Sequence, residues 1–138
     1  MPKLTDLKET ALYVDDLPRA VRFYQEVMGL AKLVHDDQRF CAFDVAGKHI
    51  LLLFLRGASA TETQLPGGVI PPHDGAGPAH AGFAVDAAEL PAWEQHFARH
   101  GVPIVSRVQW PAGGRSIYFH DPDGHVLELL TPGVWTIY

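Results

Sequence analysis

The chain repeats itself, and this repeat constrains its fold most. The segments ETALYVDD, residues 9–16, and HAGFAVDA, residues 80–87, share one pattern of apolar and polar positions at an offset of 71. In each copy a short alternating strand leads to an Asp and then to an amphipathic helix, which ends at Gly29 in the first copy and at Gly101 in the second. A chain of 138 residues with this pattern is predicted to hold two related modules in one domain.

Extended segments follow each helix and complete each module. The predicted strands cover residues 31–34, 39–45 and 49–55 in the first copy and 103–108, 116–120 and 126–130 in the second. Each copy is therefore predicted to be a βαβββ module of an α+β fold, with module 1 at about residues 5–56 and module 2 at about 79–132. Residues 57–78 contain five Gly and four Pro without periodicity, which predicts a linker or a cavity lid.

Charge and composition limit the partners. The formal net charge is −5 and the pI is about 5.8, and the chain lacks the clustered Lys and Arg that bind nucleic acid. Its one cysteine, Cys41, excludes an internal disulfide, and the first ten residues hold no apolar segment of signal-peptide length. The longest apolar run, residues 50–55, is too short to span a membrane. We expect a cytoplasmic protein that binds a small molecule, with no nucleic-acid or membrane partner.

The segment SIYFHDPDGHVLEL, residues 116–129, places one carboxylate in a predicted hairpin. Residues 121–124, DPDG, suit a three-residue loop with the Gly in the left-handed position, which pairs Tyr118 with Glu128. Glu128 then shares a mixed polar and apolar face with Ser116 and Tyr118, while the opposite face is apolar. A lone Glu in a strand is ordinarily exposed to solvent, but on the wall of a cavity it needs partners.

Two candidate partners occupy equivalent positions in the repeat. Glu9 begins the first strand of module 1, and His80 begins the first strand of module 2. Each has an ordinary explanation, as a solvated strand start or as a hydrogen-bonded histidine. Equivalent positions in two related modules would bring both to similar depths of a shared cavity, so the three residues form one hypothesis.

The motifs YVDDLPRAVRFYQEVMGL, HAGFAV and YFHDPDGHVLEL together resemble those of the vicinal oxygen chelate superfamily. This superfamily includes glyoxalase I, fosfomycin and bleomycin resistance proteins, extradiol dioxygenases and methylmalonyl-CoA epimerase. The resemblance covers nearly the whole chain. It implies two βαβββ modules forming a cup-shaped, curled mixed sheet with the helices outside, a divalent metal in the cup, and a homodimer. It also implies that Glu9, His80 and Glu128 are the metal ligands.

Two carboxylates and one imidazole suit Mn, Fe(II), Co, Ni or Zn without selecting one. Three protein ligands leave positions for two adjacent oxygens of a substrate, which the metal would polarise as a Lewis acid. The candidate substrate-binding residues are Tyr13, Trp110, Arg115, Ser116 and Tyr118. Most of these have a simpler alternative role, as a pocket-filling aromatic ring or a solvated cation. The ligands can come from one chain or, if modules exchange between subunits, from both chains of a dimer.

Two departures from the family pattern bear on the reaction. Aligning Gly47 with Gly124 places Leu51 at the position of Glu128 in module 1, where glyoxalase I has a fourth protein ligand. Extradiol dioxygenases bind iron(II) with two His and one carboxylate, and Glu9 stands in place of one of those His. Ordinary glyoxalase I and dioxygenase activities are therefore disfavoured.

Fosfomycin-transferring relatives carry a basic and hydroxyl-bearing loop before the last hairpin. This chain keeps Ser116 and Tyr118 but has Val108 and Ala112 in that loop, so fosfomycin is also disfavoured as a substrate. Two functions stay open. One is a metal-dependent lyase, isomerase, transferase or dioxygenase that acts on a small oxygenated substrate chelated through adjacent oxygens. The alternative is a metal-free protein that binds or sequesters a small molecule, as bleomycin resistance proteins do.

Overall fold

The structure, a computed structural model, describes residues 1–138 and divides into two compact units, Met1–Ala76 and Gly77–Tyr138. The first contains β1 Glu9–Val14, α1 Leu17–Glu26, β2 Ala31–Asp36, β3 Phe40–Val45, β4 His49–Leu55, β5 Thr63–Leu65 and β6 Gly68–Ile70. The second contains β7 His80–Ala84, α2 Leu90–Arg99, β8 Ser106–Gln109, β9 Arg115–His120 and β10 Val126–Leu130, with a 3₁₀ turn at Ala87–Glu89. The two predicted βαβββ modules are confirmed. That both belong to one domain stays a prediction.

Each unit has the same four-stranded sheet. The strand order is β1-β4-β3-β2 in the first unit and β7-β10-β9-β8 in the second. The first and last strands of each module are parallel neighbours, and the other pairs are antiparallel. Because parallel neighbours need a crossover, the helix of each module makes that connection. The first strand of each module therefore lies beside its last strand. No helix of the chain is long and apolar enough to cross a membrane.

The helices form where the sequence predicts them. Asp16 caps α1 by accepting a hydrogen bond of 2.9 Å from the Arg19 N–H, and a Pro occupies the first turn. The buried face of α1 includes Tyr24, whose ring centroid lies 6.0 Å from that of Phe43 in β3. In the second unit Phe97 of α2 packs at 4.4 Å on Phe119 of β9. Each helix thus covers one face of its own sheet and leaves the other face without a helix.

The last hairpin has the predicted register. Gly124 has a φ of +83°, the Asp121 N–H donates to the His125 carbonyl at 3.1 Å, and Tyr118 pairs with Glu128. The apolar face of this hairpin is fully buried, as its four residues show: Ile117, Phe119, Leu127 and Leu129. The side chain of Glu128 therefore points away from this core.

The predicted equivalence of Leu51 and Glu128 is wrong by one residue. In the first unit Val45 pairs with His49 across a three-residue loop, and Leu52 pairs with β3 as Glu128 pairs with β9. Leu51 lies on the core face and is 2% exposed. The error arose from aligning glycines, because the left-handed residues of this loop are its first two, with φ of +55° and +68°, rather than its last. The residue equivalent to Glu128 is Leu52.

The sequence predicted a segment without regular structure at residues 57–78, but the structure contains strands there. The strands β5 and β6 form a small antiparallel hairpin within it. Arg39 ties the segment to the sheet by donating hydrogen bonds to the Ser59 and Thr63 hydroxyls. The strands have three residues each, which is too short for an alternating pattern to be recognised in a sequence.

Candidate metal centre

His80 begins β7 and presents one ring nitrogen with a free lone pair. Its Nδ1 atom lies 2.8 Å from the Val126 carbonyl oxygen on the neighbouring strand β10. A carbonyl oxygen only accepts hydrogen bonds, so Nδ1 carries the proton of the neutral ring and Nε2 does not. A backbone carbonyl that fixes the tautomer in this way is typical of metal-binding histidines.

Glu128 faces that nitrogen from the next strand. Its Oε2 atom lies 3.4 Å from Nε2 of His80, and its side chain is only 8% exposed. Its other oxygen, Oε1, is buried and has no hydrogen-bond partner. A buried carboxylate oxygen without a partner is costly. A cation close to this carboxylate would offset that cost.

The donor set and its spacing fit a divalent metal. Two ligand atoms that each lie about 2.0–2.2 Å from one metal ion are about 2.8–3.6 Å apart, for angles from octahedral to tetrahedral, and the observed 3.4 Å falls in this range. The unpaired Oε1 offers a further lone pair. The chain contains no group of three or more His, Cys, Asp and Glu side chains arranged to hold a metal ion. The pair is thus a partial ligand set.

Three predicted substrate-binding residues adjoin this pair. Tyr118 hydrogen-bonds Glu128, and its pKa is raised by burial, by this hydrogen bond and by the charge of Glu128. Its ring stacks on His80 with centroids 6.3 Å apart. The buried Ser116 hydrogen-bonds Tyr118 and accepts a hydrogen bond of 2.8 Å from the Trp110 indole. The hydrogen bond from Ser116 lowers the pKa of Tyr118, but burial and Glu128 outweigh it, so the phenol stays protonated and acts as a hydrogen-bond donor rather than a base.

Arg115 lies on the other face of β9. It alternates with Ser116 and lines a separate cavity of about 280 Å³ beside α2. Its Nη2 atom donates to the Ala87 carbonyl at 2.9 Å. The structure therefore does not bring Arg115 together with the His80–Glu128 pair.

Glu9 and Tyr13 lie on β1 in the first unit. Both line a mainly apolar cavity of about 480 Å³ within this unit, and Glu9 is exposed at its edge. The Tyr13 hydroxyl lies 2.7 Å from Nδ1 of His73, and burial, with a contribution from Asp74, raises the pKa of Tyr13. His73 also lines this cavity. Its position could not be recognised from the sequence, because it stands in a segment without periodicity.

Comparison with known proteins extends this description. The family described as the Glyoxalase/Bleomycin resistance protein/Dioxygenase superfamily matches residues 6–129. Metallothiol transferase FosB of Bacillus licheniformis is 30% identical to this chain over 134 residues, which are 96% of this chain and 79% of that protein. Glutathione transferase FosA of Serratia marcescens is 31% identical over 126 residues, 91% of this chain and 80% of that protein.

Solved structures of other proteins have the same fold. The crystal structure of lactoylglutathione lyase from Agrobacterium tumefaciens superimposes with a TM-score of 0.89 at 31% identity, covering 99% of this chain and 100% of that chain. The fosfomycin resistance protein FosX of Listeria monocytogenes has a TM-score of 0.68 at 22% identity, covering 96% and 97%, and supports the fold alone.

Proposed function

The chain belongs to the Glyoxalase/Bleomycin resistance protein/Dioxygenase superfamily, and on this premise we propose that it is a metal-dependent enzyme acting on a small oxygenated substrate. The similar proteins of about 30% identity are named as transferases and a lyase. The observation that carries the proposal is the His80–Glu128 pair, in which Nε2 and Oε2 lie 3.4 Å apart and Oε1 is buried without a partner. The third proposed ligand is Glu9, which occupies in the first module the position that His80 occupies in the second.

Each residue has a distinct role in this proposal. His80, Glu128 and Glu9 would hold a divalent metal, which supplies Lewis-acid polarisation of two adjacent substrate oxygens when bound. The Val126 carbonyl keeps the His80 lone pair on Nε2. Tyr118, protonated because of its surroundings, would donate a hydrogen bond to a substrate oxygen on which negative charge develops.

The names of the similar proteins narrow the chemistry. A metallothiol transferase, a glutathione transferase and a lactoylglutathione lyase all share a thiol or its conjugate as a reactant. We therefore propose a thiol as the second substrate, adding to or leaving from the oxygenated one. Leu52, which occupies the position equivalent to Glu128 in the first module, cannot bind a metal, so the ligand set keeps positions for substrate.

The alternative, a metal-free binding protein, fits the pair less well. Without a cation the neutral His80 presents a lone pair to a carboxylate oxygen at 3.4 Å, and Oε1 stays unsatisfied. Both costs are removed when a divalent metal binds. A protein that only sequesters a ligand gains nothing from this arrangement.

The decisive experiment is metal analysis of protein purified without chelators, followed by thermal unfolding with Mn²⁺, Ni²⁺, Zn²⁺ or Fe²⁺. We expect about one metal per chain, or a rise in Tm of several degrees on adding at least one of these ions. Glu94→Gln is the matched control for Glu128→Gln, because Glu94 pairs with Arg107 at 2.9 Å and lies outside the centre. Neither bound metal nor stabilisation by any of the four ions would contradict the proposal. Glutathione, which appears in the names of two similar proteins, is then tested as the thiol substrate on metal-loaded protein.

A further inference from the structure

The cavity of the first unit has an aromatic floor, formed by Tyr13, Phe40 and Phe54. These residues pair directly across three adjacent strands, Phe40 with Phe54 and Phe54 with Tyr13. Their rings are nearly parallel, with centroids 5.5 Å apart and 25° between planes for the first pair and 5.9 Å and 26° for the second. The floor is therefore one continuous row of stacked rings and not an irregular apolar patch.

His73 forms a wall at one side of this floor. Its ring stands edge-on to Phe54, with centroids 4.6 Å apart and 79° between planes, and its Nδ1 bonds the Tyr13 hydroxyl at 2.7 Å. Gly75 packs against the same tyrosine so closely that a Cβ there would lie 2.5 Å from the ring. The floor and this wall form a slot in which a flat ring fits by stacking and edge contacts.

Arg39 supplies a cation at this cavity. Its half-buried guanidinium donates to the hydroxyls of Ser59 and Thr63, and neither acceptor carries a charge. Glu9, the carboxylate that lines the cavity, is exposed at its edge, where solvent and salt screen its charge. The positive charge of Arg39 is then left for an anion, which a guanidinium binds through charge-assisted hydrogen bonds.

We propose that this cavity binds the ring of a small aromatic anion and that Arg39 binds its acid group. This inference rests on the proposed function, because Glu9 lines the same cavity, and it names the substrate class of that site. The volume of about 480 Å³ lies within the range of about 300–1,000 Å³ that is usual for small-molecule sites. The aromatic lining favours a ligand with an aromatic ring, and the cation selects for an acid over its neutral analogue.

The test compares phenylacetate, phenylacetamide and acetate on the full-length protein by calorimetry, as purified and again with EDTA. Phenylacetate carries both the ring and the acid, and each other probe lacks one. We expect phenylacetate to bind at least about tenfold more tightly than either of the other two, with and without EDTA. Equal affinities for phenylacetate and phenylacetamide, or no binding of either, would overturn the proposal.

Variants of the lining residues test whether the probe binds in this cavity. Arg39→Gln should lower the affinity for phenylacetate to that for phenylacetamide, whereas Arg22→Gln, which removes an exposed arginine of α1, should leave it unchanged. Phe54→Leu should weaken both ring-bearing probes. Magnetisation transfer from the probe ring to the Phe40 and Tyr13 protons in wild-type protein gives the location even if a variant is unstable. Transfer to neither ring would overturn the proposal.

Mn²⁺ titration separates this inference from the proposed function. Arg39→Gln should bind Mn²⁺ as the wild type does, because Arg39 is not a ligand. If Mn²⁺ binds and phenylacetate does not, the aromatic-anion inference fails alone. If phenylacetate binds through Arg39 and no metal binds, the aromatic-anion site is supported and the metal-dependent function fails.

Discussion

The Nε2 atom of His80 lies 3.4 Å from Oε2 of Glu128, and in the neutral imidazole neither atom carries a proton to share with the other. The hydrogen bond from Nδ1 to the Val126 carbonyl enforces this arrangement. The Glu128 side chain is 8% exposed and that of His80 is 54% exposed, and a cation that binds both would stabilise their two facing lone pairs. This relationship is the basis for the first prediction.

Glu128→Gln should remove metal binding and keep the fold. Gln has nearly the same volume and can still accept the hydrogen bond of Tyr118, but it lacks the charge. Loss of an outer-shell partner of a metal ligand costs about 10–100-fold in affinity, so loss of a ligand charge should cost at least about 100-fold. Titration with Mn²⁺ at pH 7 measures this, and Glu94→Gln is the control. Wild-type affinity in Glu128→Gln would exclude Glu128 as a ligand.

Most strand positions could be predicted from the sequence because alternation records burial within each strand. The same alternation separates Arg115 from Ser116 and Tyr118, and the structure places Arg115 on the helix side, bonded to Ala87. The contact between His73 and Tyr13 could not be predicted, because it joins residues 60 positions apart and His73 lies outside any periodic segment. Such a contact depends on how the loop packs.

The position equivalent to Glu128 was predicted one residue too early for a specific reason. The hairpin formed by the last two strands of each module has a three-residue loop. The residues with positive φ are the first two of the loop in module 1, Ala46 and Gly47, but the last of the loop in module 2, Gly124. Aligning Gly47 with Gly124 therefore shifts the strand by one, and a shift of one residue exchanges the two faces of a strand.

Glutamate substitutions test this register directly. Leu51 is 2% exposed on the core face, so Leu51→Glu should lower the free energy of unfolding by about 3 kcal/mol or more. Leu52 lines the cavity with Glu9, so Leu52→Glu should cost far less, about 1 kcal/mol, and should tighten Mn²⁺ binding by adding a carboxylate ligand. Urea unfolding of the two variants measures the difference. Equal destabilisation would contradict the register.

Cys41 should make stability fall at alkaline pH. Burial raises the pKa of this thiol from 9.0 to about 11. Above pH 9 the unfolded chain loses the proton while the folded chain keeps it, so the unfolded state binds fewer protons and stability decreases with pH. The contribution of the neutral thiol to stability is complete below about pH 9 and is lost as the pH rises to about 11. The loss is about 1 kcal/mol at pH 10.

Cys41→Ala is the reference for this effect. The difference in free energy of unfolding between wild type and variant should be constant from about pH 7 to 8.5 and should then shrink, because the variant has no thiol to titrate. The native wild type should also react slowly with thiol reagents at pH 8, since Cys41 is fully buried. Parallel stability curves from pH 8 to 10.5 would contradict the raised pKa.

The last prediction concerns the third ligand. His80 and Glu128 belong to one unit and Glu9 to the other, so Glu9 can come from the same chain or from a partner subunit. We predict a homodimer in which modules exchange and Glu9 of one subunit completes the pair of the other. Glu9→Gln and Glu128→Gln should each abolish metal binding. In a mixture at equal concentrations, refolded together, half of the dimers are mixed and carry one intact site each, so about a quarter of the wild-type sites should return.

The mixing experiment distinguishes the two arrangements because ligands drawn from one chain cannot be restored by exchange. Each subunit of a mixed dimer would then keep its own defective ligand, and the mixture would bind no more metal than its components. Light scattering must first show that both variants are dimers at micromolar concentration. Dimers that exchange subunits and regain no Mn²⁺ binding would assign Glu9, His80 and Glu128 to a single chain, and a monomeric wild type would exclude the exchanged arrangement.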